Sequence, residues 1–346
     1  MKTLCAYCYA FLLALVLTRC GPAGNPVDSQ RVVVYTSVDR IFSEPVLQRA
    51  AQILDVDVIG VYDTEETKST GLVNRLIAKK ENPDGDLFWS GDPARAALLK
   101  VEGITAAYDS PAAAPIPDAF KDPDRHWIGF SARTRVLLAN TDLVSAGEEP
   151  KNIFDLTQAK WKGQVAIANP LFGTTSFHMA ALVQALGEEE AFRWLDNLRA
   201  NGVRLVSSNG EVKRQVASGS VAVGLTDSDD AAEAMADGQP VRAILLDQAR
   251  EPAPPLGNLV IPNTVSLIEG GPNPEDARKV FDFLLSAETQ ALLAASCAQA
   301  PLDPAVAVPD NVVSLGGLVP MKVDYATCAE VLQRIMTRLD TWVNQG

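Results

Sequence analysis

Histidine, cysteine and positive charge are all in short supply in this 346-residue chain, and each shortage closes a route to function. The histidines are His126 and His178 alone. A histidine-built metal centre or a Ser-His-Asp relay has almost nothing to draw on. G-x-S-x-G, H-E-x-x-H, a Walker loop and G-x-G-x-x-G are all absent, so the common hydrolase, NTPase and dinucleotide signatures are missing. The 30 basic residues face 43 acidic ones, for a net charge of −13. That balance excludes a nucleic-acid surface, which must be basic to meet phosphate. Past Leu17 no apolar run approaches the roughly 20 residues that span a bilayer. No cofactor is called for.

What is present begins at the N-terminus. Met1-Lys2 precedes the apolar run Phe11 to Leu17, which ends at Cys20. A basic start and a short apolar core form a secretory signal over residues 1–20. Leu17-Thr18-Arg19-Cys20-Gly21 resembles the lipobox of bacterial lipoproteins, which implies lipidation of Cys20; Arg19 departs from the small residue that pattern wants, and plain cleavage nearby is the alternative. Residues 21–30 are Gly/Pro/Asn/Ser-rich and read as a tether. The mature chain is thus expected outside the cytoplasm, periplasmic or extracytoplasmic, touching membrane only through a lipid anchor. Cys5 and Cys8 fall inside the signal, where a C-x-x-C carries no site. Cys297 and Cys328 remain; an oxidising compartment lets them pair, or they stay as two buried thiols, since spacing alone does not set their separation.

From residue 31 onward, short apolar runs alternate with stretches of helical spacing. Strands are expected at 31–36, 56–62 and 86–89, with helices between and after them. A Pro-rich loop at 110–123 precedes a further strand ending at 136–140. A second strand–helix series covers 164–246, and 259–269 reads as a strand before a long amphipathic helix at 274–286. This pattern predicts an α/β protein whose sheets are mostly parallel and flanked by helices. The two series are separated by the apolar segments 136–140 and 260–268, the expected hinge crossings. Residues 31–135 plus 265–346 would form one lobe and 136–264 the other.

The order of these pieces resembles the periplasmic solute-binding proteins of ABC importers, with the type II two-lobe topology and the ferric-iron-binding branch as the nearest likeness. The resemblance rests on Val33-Val34-Tyr35-Thr36-Ser37, Asp86-Leu87-Phe88-Trp89, the segment 128–137, Trp161-Lys162-Gly163-Gln164-Val165-Ala166, Gly173-Thr174-Thr175-Ser176-Phe177-His178 and the segment 216–225. It covers nearly the whole mature chain. It implies capture of a small solute between the lobes, delivery to an ABC permease in the inner membrane, and a monomer. The departures are chemical. The iron branch uses two adjacent tyrosines where this chain has Thr226-Asp227-Ser228-Asp229-Asp230. Its histidine falls on Asp39, and its glutamate on Gly91, beside Asp92. Relatives of the wider group bind phosphorylated sugars or phosphonates.

Ligands of open α/β sheets sit at the carboxyl ends of strands, which selects Ser37, Asp39, Asp92, Asn169 and Thr226. Gly173, Thr174 and Thr175 open a helix whose unpaired N–H groups suit an anion, although Ser and Thr also serve there as plain caps. Asp227 and Asp229 are either an acidic clamp for a cation or ammonium group, or first-turn acids favoured by the helix dipole. Arg133 and Arg135 share one strand face; Arg133 is a candidate for holding a carboxylate or phosphate, and Arg135 reads more as a surface ion pair. Asn209 is a cap or a ligand contact. Two rival readings stay open. One is a ferric-iron binder using Asp39, Asp92 and Asp229. The other is a cell-envelope hydrolase built on the same carboxylates.

Overall fold

The computed structural model describes residues 31–63, 70–249 and 255–345. The expected signal (1–20), Cys20 and the tether (21–30) lie outside the described residues. The first series runs β1 (Arg31–Thr36), α1 (Arg40–Leu54), β2 (Asp57–Tyr62), α2 (Thr70–Ala78), β3 (Leu87–Ser90), α3 (Pro93–Val101) and the short β4 (Thr105–Ala106). β1 pairs in parallel with β2 and β3. Val32 and Val34 are buried on one face of β1 and Tyr35 on the other, the double burial expected of a parallel strand covered by helices on both sides.

A long strand, β5 (Ile128–Asn140), follows. The second series is β6 (Val165–Ala168), α4 (Gly173–Leu186), α5 (Glu188–Ala200), β7 (Arg204–Val206), α6 (Asn209–Ala217), β8 (Val223–Asp227), α7 (Ser228–Ala236) and β9 (Val241–Ile244). β6 pairs in parallel with β7 and β8. The chain returns through β10 (Val260–Ile268) to α8 (Pro274–Leu285), α9 (Ala287–Cys297), β11 (Ala300–Pro301) and α10 (Tyr325–Asn344).

The strand order β2-β1-β3-β10-β5-β8-β6-β7 puts a parallel set at each end and two antiparallel strands between them. The two middle strands are the expected crossings. β5 pairs with β10 through residues 128–134 and with β8 through 135–139, so one continuous strand serves both sheets. The α/β architecture with two sheets and two crossings is therefore as the sequence pattern indicates.

Two details go beyond the sequence pattern. α10 packs against both halves, on α3 of the first and on α4 of the second. Its Leu332, Ile335, Leu339 and Trp342 share a core with Phe177, Leu182 and Trp194 of α4 and α5, and each such buried side chain contributes about 1.5–3 kcal/mol. Cys297 and Cys328 do not pair: both are free. Cys297 ends α9 with its thiol donating to Leu293 O at 3.2 Å, whereas Cys328 lies in the α10 core with its sulfur accepting from Gln184 Nε2 at 3.2 Å. Burial pushes the Cys297 thiol up to about 12 and the Cys328 thiol up as well, so neither supplies thiolate near neutrality. Millimolar dithiothreitol is expected to leave the thermal midpoint unchanged; a drop of several degrees would show a bridge.

Candidate functional site

β5 alternates its side chains between faces, so Ser131, Arg133 and Arg135 project to one side. On that side the starts of α4, α6 and α7 converge. Asp227, last residue of β8 and N-cap of α7, sits at the centre and is 4% exposed. One carboxylate oxygen accepts from Arg135 Nη1 at 2.7 Å. The other accepts from Thr174 Oγ1 at 2.7 Å, Asn209 Nδ2 at 3.0 Å and Arg133 Nε at 3.2 Å. Asn209 Nδ2 also donates to Thr174 Oγ1, and its Oδ1 accepts from Arg135 Nη1 at 3.2 Å. Thr175 Oγ1 adds a long bond to Asn209 Oδ1. Six residues from four elements thus share one polar knot.

Its electrostatics follow. Burial pushes the Asp227 carboxyl up, but Arg135 and Arg133 outweigh that and hold it below the usual carboxylate range. Asp229, the second residue of α7, has no such pair. Burial and the neighbouring Asp227 and Asp230 charges raise it to about 7 against the pull of Arg133. Its Oδ2 accepts from Gln299 Nε2 at 3.2 Å. Thr226 Oγ1 donates to Asp230 at 2.9 Å. His178, buried on α4 near Arg135, is pushed down to about 3 by burial and by that guanidinium, so it stays neutral. Three helix N-termini and two guanidinium groups around one spot make a strongly electropositive setting, with Asp227 as the built-in counter-charge.

The remaining candidates scatter. Ser37 stays beside the knot, its Oγ accepting from Gly91 N at 3.1 Å. Asp39, exposed at the start of α1, lines a groove of about 350 Å³ with Ser37, Tyr62 and Asp63 rather than joining Thr174 and Asp229. Asp92 caps α3, accepting from Ala94 N at 2.8 Å. Asn169 closes a turn by accepting from Leu171 N at 3.0 Å. Gly173 starts α4 at φ +55°, a left-handed conformation that favours glycine. Arg135, read from the sequence as a surface pair, is 2% exposed; alternation placed it on the right face but carries no burial. Asn263 and Gln299 were not anticipated. Asn263 Nδ2 donates to Ser131 Oγ and to Gln299 Oε1, both at 2.9 Å. The only hint was an Asn inside the apolar run 260–268.

Ferric iron as cargo fits these residues poorly. Carboxyl oxygens of Asp227, Asp229 and Asp230 lie within 4.8 Å of one another, but Asp227 is saturated by arginines and hydroxyl or amide donors. Metal binding there would leave two buried guanidinium groups without their counter-charge.

Comparison with known proteins agrees with this fold. The chain is 24% identical to the major ferric iron-binding protein of Neisseria meningitidis serogroup B, over 95% of this chain and 96% of that one. It is 26% identical to a putative 2-aminoethylphosphonate-binding periplasmic protein of Salmonella typhi, over 65% and 68% of the two chains. The structure of the periplasmic binding protein AfuA from Actinobacillus pleuropneumoniae, with exogenous fructose-6-phosphate bound, superposes with a TM-score of 0.76 at 23% identity, covering 91% of this chain and 99% of that one. The family of bacterial extracellular solute-binding proteins matches residues 84–325, and the chain belongs to it.

Proposed function

We propose that the chain is the extracytoplasmic solute-binding component of an ABC importer and captures a small polar, anionic solute between its halves. The observation that carries this is the knot of Arg133, Arg135, Thr174, Asn209 and Asp227 on the crossing strand β5. Guanidinium groups and helix N-termini suit phosphoryl, phosphonyl or carboxyl oxygens. A ligand touching both halves favours the closed state by its differential affinity, and β5 and β10 are the segments about which the halves turn. Residues 31–135 with 265–346 form one lobe in this reading, and 136–264 the other, with α10 lying against both. Delivery to a membrane permease requires no bond chemistry. The protein works as a monomer, tethered through Cys20.

The related proteins carry names for ferric iron, 2-aminoethylphosphonate and fructose 6-phosphate. For this chain the arginines favour the organic anions. Calorimetric titration with 2-aminoethylphosphonate, fructose 6-phosphate and ferric citrate, paired with small-angle scattering, tests the reading. An organic anion is expected to bind and to shrink the radius of gyration. Tight iron binding with no response to either anion would overturn it in favour of the metal.

A further inference from the structure

Gly91 follows β3 where the resemblance places a glutamate. Its backbone is not among the left-handed glycines, so chain conformation does not require glycine there. Space does. A Cβ on Gly91 would stand 3.4 Å from Asn263 Oδ1, 3.7 Å from Val38 Cγ2 and 3.8 Å from Arg133 Nη1. One point above Gly91 is therefore ringed by an acceptor, a charged donor and an apolar wall.

Asn263 is 2% exposed and its Oδ1 has no hydrogen-bond partner. Its amide orientation follows from its neighbours. Asp229 Oδ2 accepts from Gln299 Nε2 at 3.2 Å, so Gln299 turns its NH₂ toward it. Gln299 Oε1 then faces Asn263, which must answer with its own NH₂. The Asn263 oxygen is left pointing at Gly91. Arg133 spends only Nε on Asp227, which leaves Nη1 for a ligand.

We propose that the space over Gly91 is a ligand subsite that selects anions carrying a nearby hydrogen-bond donor. Asn263 Oδ1 accepts from a hydroxyl or ammonium group while Arg133 Nη1 holds the adjoining phosphonyl, phosphoryl or carboxyl oxygen. This rests on the anion-capture reading above and sharpens its substrate class. A ligand without the donor leaves a buried oxygen unpaired, and sites built to pair a polar group reject analogues that lack it.

The test is calorimetric titration of the parent protein and Gly91→Ala with 2-aminoethylphosphonate, 2-hydroxyethylphosphonate and ethylphosphonate. The alanine is sterically mild at these distances, and an unchanged thermal midpoint checks that the variant folds. The parent is expected to bind the two donor-bearing phosphonates roughly tenfold or more tighter than ethylphosphonate. Gly91→Ala should erase that preference by filling the subsite. Equal binding of all three by the parent, or the preference surviving in Gly91→Ala, overturns the subsite and leaves anion capture standing. If neither protein binds any of the three, the subsite falls, and the fructose 6-phosphate titration above decides whether anion capture falls with it.

Discussion

Asp227→Ala is expected to destabilise the fold by about 3–5 kcal/mol, the cost of removing one partner from a buried ion pair. Asp227 and Arg135 are 4% and 2% exposed, and Arg135 Nε and Nη2 already have no partner. Without the carboxylate, two guanidinium charges face each other with little water to screen them. Asp227→Asn keeps the shape and loses the charge, so it should fall nearly as far. Glu288→Ala is the control. Glu288 pairs with Arg49 at 2.7 Å, but the two side chains are 43% and 48% exposed, and such surface pairs contribute about 0–1 kcal/mol. Urea unfolding of the three variants measures the contrast. A cost for Asp227→Ala no larger than the control's would show that water already reaches the knot.

The same charge cluster shows what the sequence could and could not convey. Thr174, Asn209, Asp227 and Arg133 were all legible, because strand ends and helix starts follow from hydrophobic period and capping residues. The crossing strands were legible for a related reason: 136–139 is apolar and 260–268 carries no charge and is mostly apolar, as suits strands buried on both faces. Burial of a particular charge was not legible. Arg135 and Asp39 look alike in sequence, each polar beside an apolar strand, yet one is sealed in the knot and the other is exposed. What separates them is the meeting of α4, α6 and α7 over β5, a long-range event. Gln299 reaches Asp229 across 70 positions of chain, and no local pattern marks it. The free cysteines teach the same lesson, since their separation depends on α10 packing against α4.

Stability is expected to fall as the pH rises from about 4 to about 7, against the common preference for a maximum between roughly pH 5 and 8. Two carboxyl groups drive this. Asp229 is raised from 3.8 to about 7 by burial and by its acidic neighbours. Asp247 is raised from 3.8 to about 7 by burial and by Asp155, against the backbone N–H of Ile153. In the folded protein each keeps its proton up to neutrality, while in the unfolded chain each has lost it above about pH 4. The folded state therefore binds more protons across that window, and raising the pH favours unfolding by at most about 1.4 kcal/mol per pH unit per group. Asp229 is only half-buried, so solvent screening reduces its share, and Asp247, 7% exposed, should dominate. Asp227 and Asp84 act in the opposite sense: their folded-state values are lowered, so their contribution is lost as the pH drops below about 4. The optimum should therefore lie in mildly acidic solution. Urea unfolding between pH 4 and 8 measures the slope. Asp247→Asn should flatten it, with Asp229→Asn removing a smaller part. A parent protein that grows steadily more stable from pH 5 to 8 would mean that both carboxylates are solvated in the folded state, and with Asp229 solvated the amide chain through Gln299 to Asn263 would lose its anchor.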